Sequence, residues 1–551
     1  MESFKIQIYR LIKRNAFIIF LLLIGLIFSI PLFHQGFYLS HDGQAHVARF
    51  AAYIKAFSDG QFPFRFAGTL NYGYGSPVLN FYYPLPGAIA IPFHFLGISL
   101  ENIFKASIIF SFILSFFSFY LWIKELLKDE GLAFLGGVLY GLTPYHFLNL
   151  YVRGGIAEQI AYAFVPFVFL FIEKAISNKN IKYSIIGGIF YALVILSHNS
   201  VSLLFSPIFL FYSIIRAKDI RGLALTLLIL FIGLSLASFF WIPAIMEAKY
   251  TNAKLFIGDM FKYHFPSVQS LIYSKWGFGP DVNKPGGLSP QIGIINWAII
   301  LISISSIFLK NLFRKETYFW IIVFLITVFL TLSVSTFIWY YLPLLSNLQF
   351  PWRIVGISSF AAVVLGVIAV KNFDRKIRLL LFLAVIVYSL QFLKINYTKS
   401  KPDSFYFNYP GTTYYHGEAS PIWTAGDFGE FPKSTLEIIS GKGSYIQNLH
   451  KSNLHVFTFN AKTNIRVVDN TVYFPGWQVL VDNKASPIQF QDPNHRGLIT
   501  FDVPKGKHVA MVVIKETGLR LFSDLISIFS LLFIVILFVL RKKINKMLFL
   551  R

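Results

Sequence analysis

The chain has 551 residues, of which 55% are hydrophobic and only 14% charged, with 49 Lys or Arg against 26 Asp or Glu. That composition excludes a soluble globular protein and points to a polytopic membrane protein, because runs such as Ala16 to Leu32 have the length and uniformity of bilayer spans. A net charge of +23 would suit a nucleic-acid binder only if the cations formed a stripe on one soluble face, and no such stripe is visible. The absence of cysteine excludes disulfides and thiolate metal sites.

In chain order, the apolar stretches predict about twelve transmembrane helices, at 16–33, 103–123, 131–148, 159–173, 183–197, 201–215, 222–243, 291–309, 317–337, 354–370, 379–395 and 519–540. Residues 183–215 would make one helix of roughly 50 Å, too long for a hydrocarbon core of about 30 Å. They are therefore read as two spans meeting at Ser197-His198-Asn199-Ser200. The Pro-broken stretch 81–97 is read as interfacial or re-entrant, because counting it as a span would put the basic loops on the wrong face. Segments 1–15, 124–130, 174–182, 216–221, 310–316, 371–378 and 541–551 hold 24 Lys or Arg. The longer segments 34–102, 148–158, 244–290 and 338–353 hold only 10. The positive-inside rule assigns the first set, with both termini, to the cytoplasm. No Ala-x-Ala-like site follows the first span, which is expected to stay as an anchor.

Three regions result: a transmembrane core over 1–395, whose first exofacial loop is 34–102; a segment of different composition over 396–518; and a last helix with a basic tail over 519–551. The middle segment balances 12 Lys or Arg against 9 Asp or Glu in 397–515. It alternates apolar and polar residues at Leu454 to Phe459, Thr471 to Val481, Gly497 to Val503 and His508 to Ile514. Asp482-Asn483 and Lys505-Gly506 lie between such runs, where hairpin turns favour residues tolerant of positive φ. A small exofacial β-sandwich is predicted.

The first exofacial loop carries the densest chemistry. Ser40-His41-Asp42-Gly43-Gln44-Ala45-His46 leads through Arg49 into an amphipathic stretch with Phe50, Tyr53, Ile54 and Phe57 on one face, which predicts a helix lying on the membrane surface. Asp42 suits a helix N-cap; His41, Asp42 and His46 could also hold a divalent cation. His146, Arg153, Glu158, His198 and Arg353 come from separate segments and all map to the same outer rim. Each has a structural alternative. Glu158 suits the first turn of a helix, Arg153 and Arg353 suit interfacial anchors, and the histidines suit satisfied rim positions. Trp276, Trp339 and Trp352 suit an aromatic belt.

The order HDGxxHxxR from His41, GxxPxR from Gly60, YGYGxP from Tyr72 and FYxPLP from Phe81 resembles a family of polytopic bacterial membrane proteins labelled 6-pyruvoyl-tetrahydropterin synthase-related. The resemblance extends to Thr143-Pro144-Tyr145-His146, Arg153-Gly154-Gly155-Ile156-Ala157-Glu158, Gln349-Phe350-Pro351-Trp352-Arg353 and Tyr473-Phe474-Pro475-Gly476-Trp477 with Asp482, so it spans nearly the whole chain. That family in turn resembles the GT-C glycosyltransferases and the membrane proteins that glycosylate lipoteichoic acid. The resemblance implies a GT-C-like fold and a sugar donor linked to polyprenyl phosphate. It also implies an extracytoplasmic glycan, glycolipid or protein as acceptor, and an essential acid in the first exofacial loop, where Asp42 is the matching position.

Chemistry independently asks for one carboxylate among cations. An attacking hydroxyl needs a base, and a departing phosphate needs positive charge around it. Asp42, with His46 and Glu158, makes the candidate catalytic group. Arg153, Arg353 and Arg49 are candidates for the donor phosphate, since guanidinium offers paired donors. His41, His146 and His198 complete the rim. A transporter or lipid flippase is the main rival, but ion-coupled carriers hold ionisable residues near the bilayer midplane and these spans have almost none away from their ends. A non-catalytic envelope protein is the third reading.

Overall fold

Helices occupy every one of the apolar stretches. The computed structural model describes residues 15–305, 314–414, 417–424 and 426–549. Each of the twelve predicted spans overlaps a helix among the described residues, namely Ala16–Ile27, Leu100–Leu127, Glu130–Gly141, Ile156–Asn178, Ile181–Ser197, Asn199–Arg216, Ile220–Leu236, Ile294–Ser305, Arg314–Thr331, Val355–Ala369, Arg375–Ser389 and Gly518–Phe549, while residues 306–309 of the eighth lie outside them. Among the described residues, five helices are by themselves long and apolar enough to cross a membrane, or seven if two bent pairs each count as one. The basic segments 1–14 and 310–313 and the last two residues lie outside the described residues.

Breaks interrupt several of these stretches. At His198 the backbone leaves the helical region (φ −161°, ψ 121°), ending one helix and capping the next, with its own Nδ1 accepting from Val201 N–H. The seventh stretch bends by 67° into Ser238–Met246. Pro243 in that second piece has no N–H for the carbonyl four residues earlier, Phe239 O, which instead accepts from Arg65 Nη1 at 2.9 Å. The ninth stretch bends by 86° after Thr331.

The helix Leu100–Leu127 is roughly 42 Å long, with Glu101 near one end and Lys124 near the other. Lys124 pairs with Glu130, whose neighbour Asp129 pairs with Arg378, while Arg216 pairs with Glu173 and Glu316 and Lys179 with Asp219 at the ends of further helices. At the Glu101 end, Glu101 accepts from Tyr406 at 2.6 Å and from the Lys401 N–H at 3.0 Å. There too strand β1 (Phe37–Tyr38) pairs antiparallel with β2 (Tyr397–Thr398), tying the first loop to the segment after the eleventh helix.

That segment continues into eight strands: β3 (Leu436–Ser440), β4 (Gly443–Lys451), β5 (Leu454–Ala461), β6 (Ile465–Val472), β7 (Trp477–Val481), β8 (Lys484–Ser486), β9 (Leu498–Val503) and β10 (Gly506–Ile514). They form sheets β4-β5-β10-β7-β8 and β3-β6-β9. Phe457, Phe459, Val479 and Val512 of one sheet pack on Val467, Ile499 and Phe501 of the other. Asp482 and Asn483 both take positive φ (48° and 64°), as a type I′ hairpin requires. The single run expected over 471–481 is divided: Pro475 and Gly476 (φ +110°) interrupt it, and β6 and β7 belong to different sheets. Strand β4 went unread because it is an edge strand, exposed along most of its length, and shows no clean alternation.

The final helix is mostly unburied, as a lipid-facing helix would be. Its first turns are latched by Arg520 Nε to Glu247 Oε2 at 3.0 Å and by Arg65 Nη2 to Asp524 Oδ1 at 2.8 Å.

Candidate functional site

The helix Gly43–Ser58 is where the expectation of a surface-lying helix fails. His46, Val47, Ala48, Arg49, Phe50, Ala51, Ala52, Tyr53, Ile54 and Ala56 are all buried, while Phe57, expected on the apolar face, is exposed. Helices Leu85–Phe95 and Asp403–Phe407 pack against it. At Gly87 a Cβ would lie 2.0 Å from the Tyr53 ring, so only glycine permits that crossing. The polar face is covered by chain from far away in sequence, which hydropathy cannot register.

Two backbone bonds fix the start of this helix. The N–H groups of His41 and Asp42 donate to Val152 O at 3.0 Å and Arg153 O at 2.8 Å. The approach is close because Leu148–Arg153 forms a π-helical turn ending in Gly154 at φ +64°, where a Cβ would sit 3.0 Å from Gly43 N. Asp42 stands at the N-cap, but its side chain makes no capping bond. Half-buried, its carboxylate has no hydrogen-bond or ion-pair partner among the described residues.

Arg153 and Glu158 form a buried ion pair, their side chains 5% and 2% exposed. Arg153 Nη1 also donates to Asn149 Oδ1 at 2.6 Å, and its guanidinium lies 4.7 Å over the Trp352 ring. Glu158 also accepts from Tyr145 OH at 2.5 Å, and the same hydroxyl oxygen lies 3.3 Å from Arg353 O. Half-buried Arg353 donates from Nη1 to Leu348 O at 2.8 Å and Gln349 Oε1 at 3.0 Å, leaving a buried Nε without a partner among the described residues. Trp352 and Trp339 are buried packing residues, not belt residues.

On the other side, Arg49 is buried and anchored by three polar contacts. Its Nε donates to Thr413 Oγ1 at 3.1 Å, Nη2 to Thr413 O, and Nη1 lies 3.4 Å from His46 Nδ1. Its Cζ sits 3.9 Å above the Tyr82 ring, and Tyr82 OH donates to Glu418 Oε1 at 2.5 Å. Glu418 Oε2 accepts from Gln349 Nε2 at 2.6 Å, closing a chain from Arg49 to Arg353. Between the two sides stands Tyr83, its ring 5.0 Å from His198 and 6.5 Å from His46. Burial first, then the Arg49 charge, pushes His46 well below the usual imidazole value, so it is a neutral ring. Burial pushes the Tyr83 phenol up, and Arg49, Asp42, Arg353 and Arg153 are the charges acting on it.

Asp42, His46, Arg49, Arg153, Glu158, His198 and Arg353 therefore meet around Tyr82 and Tyr83. Two predicted members stand apart. His41 is exposed and pairs through Nε2 with Phe278 O at 2.7 Å. His146 lies inside the core, not on the rim, paired with the Gln159 carboxamide and edge-on to Tyr140 at 4.7 Å. His41, Asp42 and His46 do not converge as a ligand set, and among the described residues no group of three His, Asp or Glu is placed to hold a metal ion. Tyr82, Tyr83, Tyr145, Gln349 and Glu418 were not foreseen as site residues. The first four lie inside motifs already noted, whereas Glu418 lies in a stretch without periodicity.

A family model described as 6-pyruvoyl-tetrahydropterin synthase related domain, membrane protein, matches residues 79–397. The chain belongs to this family. The matched region carries Tyr82, Tyr83, Arg153, Glu158, His198 and Arg353; Asp42 precedes it and Glu418 follows it. Among solved structures, 14 chains match. One is the single-particle cryo-EM structure of the arabinofuranosyltransferase AftD from Mycobacteria, at TM-score 0.47 and 13% identity over 74% of this chain. The match spans only 28% of that chain. No curated protein matches.

Proposed function

We propose that this family member is an integral-membrane, GT-C-like inverting glycosyltransferase that moves a sugar from a polyprenyl-phosphate carrier to an extracytoplasmic glycan, glycolipid or protein. The observation that carries the reading is Asp42. A carboxylate without a partner among the described residues is held by two backbone bonds next to Arg153, in a cluster whose other acids, Glu158 and Glu418, are already hydrogen-bonded. An unneutralised carboxylate beside fixed cations is the arrangement a general base needs when the leaving group is anionic.

In the reaction, the acceptor oxygen attacks the anomeric carbon, its proton passes to Asp42, and the carbon–oxygen bond to phosphate breaks with the electron pair leaving on phosphate. Arg153 and Arg353 stabilise that phosphate. Glu158 keeps Arg153 in place and fixes its charge. Arg49 holds Thr413 over the helix that follows Asp42. His46 and His198 flank the Tyr83 ring. The β-sandwich orients the acceptor.

The donor class is tested by mass spectrometry of lipids that copurify with the protein. A polyprenyl phosphate retained by wild type and reduced in Arg353→Ala is expected; retention of ordinary phospholipids alone would remove the donor assignment.

The reading also needs twelve spans with both termini cytoplasmic and the sandwich outside. Single cysteines at the exposed positions Ser444 and Ser177, in a chain without cysteine, report on this. Ser444→Cys should react with an impermeant maleimide on intact cells, and Ser177→Cys only after permeabilisation. The reverse pattern would put the site on the cytoplasmic side.

A further inference from the structure

Where the helix Gly43–Ser58 meets the sandwich there is a cavity of about 80 Å³, lined by Lys55, Thr69, His450, Lys451, His455 and Thr471 among others. Lys55 lies thirteen residues beyond Asp42 on that helix, so the cavity is roughly 20 Å from the carboxylate.

Its walls are built, not incidental. His455 is buried, its Nδ1 2.6 Å from Asp469 Oδ2, and Asp469 is fully buried and also accepts from Thr471 Oγ1 at 2.6 Å. With Nδ1 committed, His455 keeps Nε2 for another partner, and the exposed His450 ring stacks on it at 4.2 Å. Lys55 is neutralised by Asp59 at 2.6 Å, and Asp59 also accepts from the Ser452 N–H at 2.7 Å. Two groups on the cavity wall are unspent. Lys451 has no hydrogen-bond or ion-pair partner among the described residues, and Thr69 Oγ1 is buried with no hydrogen-bond partner. A buried hydroxyl without a partner is unfavourable, so an occupant that hydrogen-bonds it is favoured.

Asp59 is paired with Lys55 and Asp469 is hydrogen-bonded to His455 and Thr471, and what is left over is one ammonium, imidazole nitrogens and a hydroxyl around a space the size of a small anion. We propose that the cavity binds a single oxyanion, a carboxylate or a phosphate carried by the acceptor, and so selects an acidic acceptor. This rests on the glycosyltransferase reading for the word acceptor; the anion site stands on the cavity alone. Its distance from Asp42 means that one ligand filling both places is an extended chain, with its charged group several residues from the hydroxyl that reacts.

The test is ligand-observed saturation-transfer NMR on the full-length protein in detergent, with three probes: glucuronate, glucose 6-phosphate and methyl α-glucoside. At least one of the two anionic sugars is expected to bind saturably and the neutral one not to; whichever binds better tells carboxylate from phosphate. Lys451→Gln, an unpaired position whose loss should not disturb folding, is expected to weaken binding about fivefold or more, and Thr69→Val to weaken it further. Equal binding of the neutral glucoside, no binding of any probe, or wild-type affinity in Lys451→Gln would each overturn the proposal. The readout needs no sugar transfer, so failure here removes the anion site and leaves the transfer reading standing, while a chain inactive in transfer leaves this measurement valid.

Discussion

Asp42→Asn is expected to lower sugar transfer by about 10² to 10⁴-fold, the range over which a positioned base contributes, while abundance and thermal stability stay near wild type. The stability half follows from the structure. The Asp42 side chain makes no capping bond, and the start of the helix is held instead by the backbone N–H groups of His41 and Asp42 on Val152 and Arg153, which the amide leaves intact. The activity half follows from chemistry, since a carboxamide is isosteric with the carboxylate but cannot take a proton at neutral pH. The measurement pairs initial rates of transfer in isolated membranes with a melting curve of the purified variant. Wild-type rates in Asp42→Asn would end the mechanism; loss of both activity and fold would show that the loop depends on the charge.

The second large effect is at Arg153 and Glu158. Glu158→Ala leaves the Arg153 guanidinium, only 5% exposed, without its counter-charge, and removing one partner of a buried pair costs about 3–5 kcal/mol. Asn149 and the Trp352 ring remain, but neither carries a charge. Arg153→Ala should destabilise by a similar amount, because Glu158 would then keep only Tyr145. Replacing both, as Arg153→Met with Glu158→Leu, is expected to recover most of the stability, since an apolar pair of similar volume is often neutral or better. Transfer should not return, because the phosphate would have lost its nearest cation. Chemical denaturation and transfer rates on the three variants decide it. A double variant that regains both stability and transfer would make the pair a structural staple and move the phosphate to Arg353 alone.

The His198 break shows what sequence can resolve. A 33-residue apolar stretch is too long for the bilayer, and the polar quartet within it marked the place where the helix ends. The type I′ turn at Asp482-Asn483 was legible for a similar reason, because few residue pairs tolerate positive φ twice. The helix Gly43–Ser58 shows the opposite. Its amphipathic pattern was real, but Thr413 and the Asp403–Phe407 helix arrive from more than 340 residues away to cover the polar side and turn Arg49 into a clamp.

By itself, the sequence determined that the chain is a membrane protein, where its apolar helices and alternating strands lie, and which ionisable residues stand at helix ends. Each of these is a local property, set by hydropathy, periodicity or backbone sterics over a few turns. The tertiary structure alone decided which of those charges are spent. Glu158 is taken by Arg153, Arg49 by Thr413, and Glu418 by Tyr82 and Gln349, while Asp42 keeps no partner among the described residues. The reason is physical: a buried charge must be matched by whatever the packing brings to it, and that partner can come from anywhere in the chain.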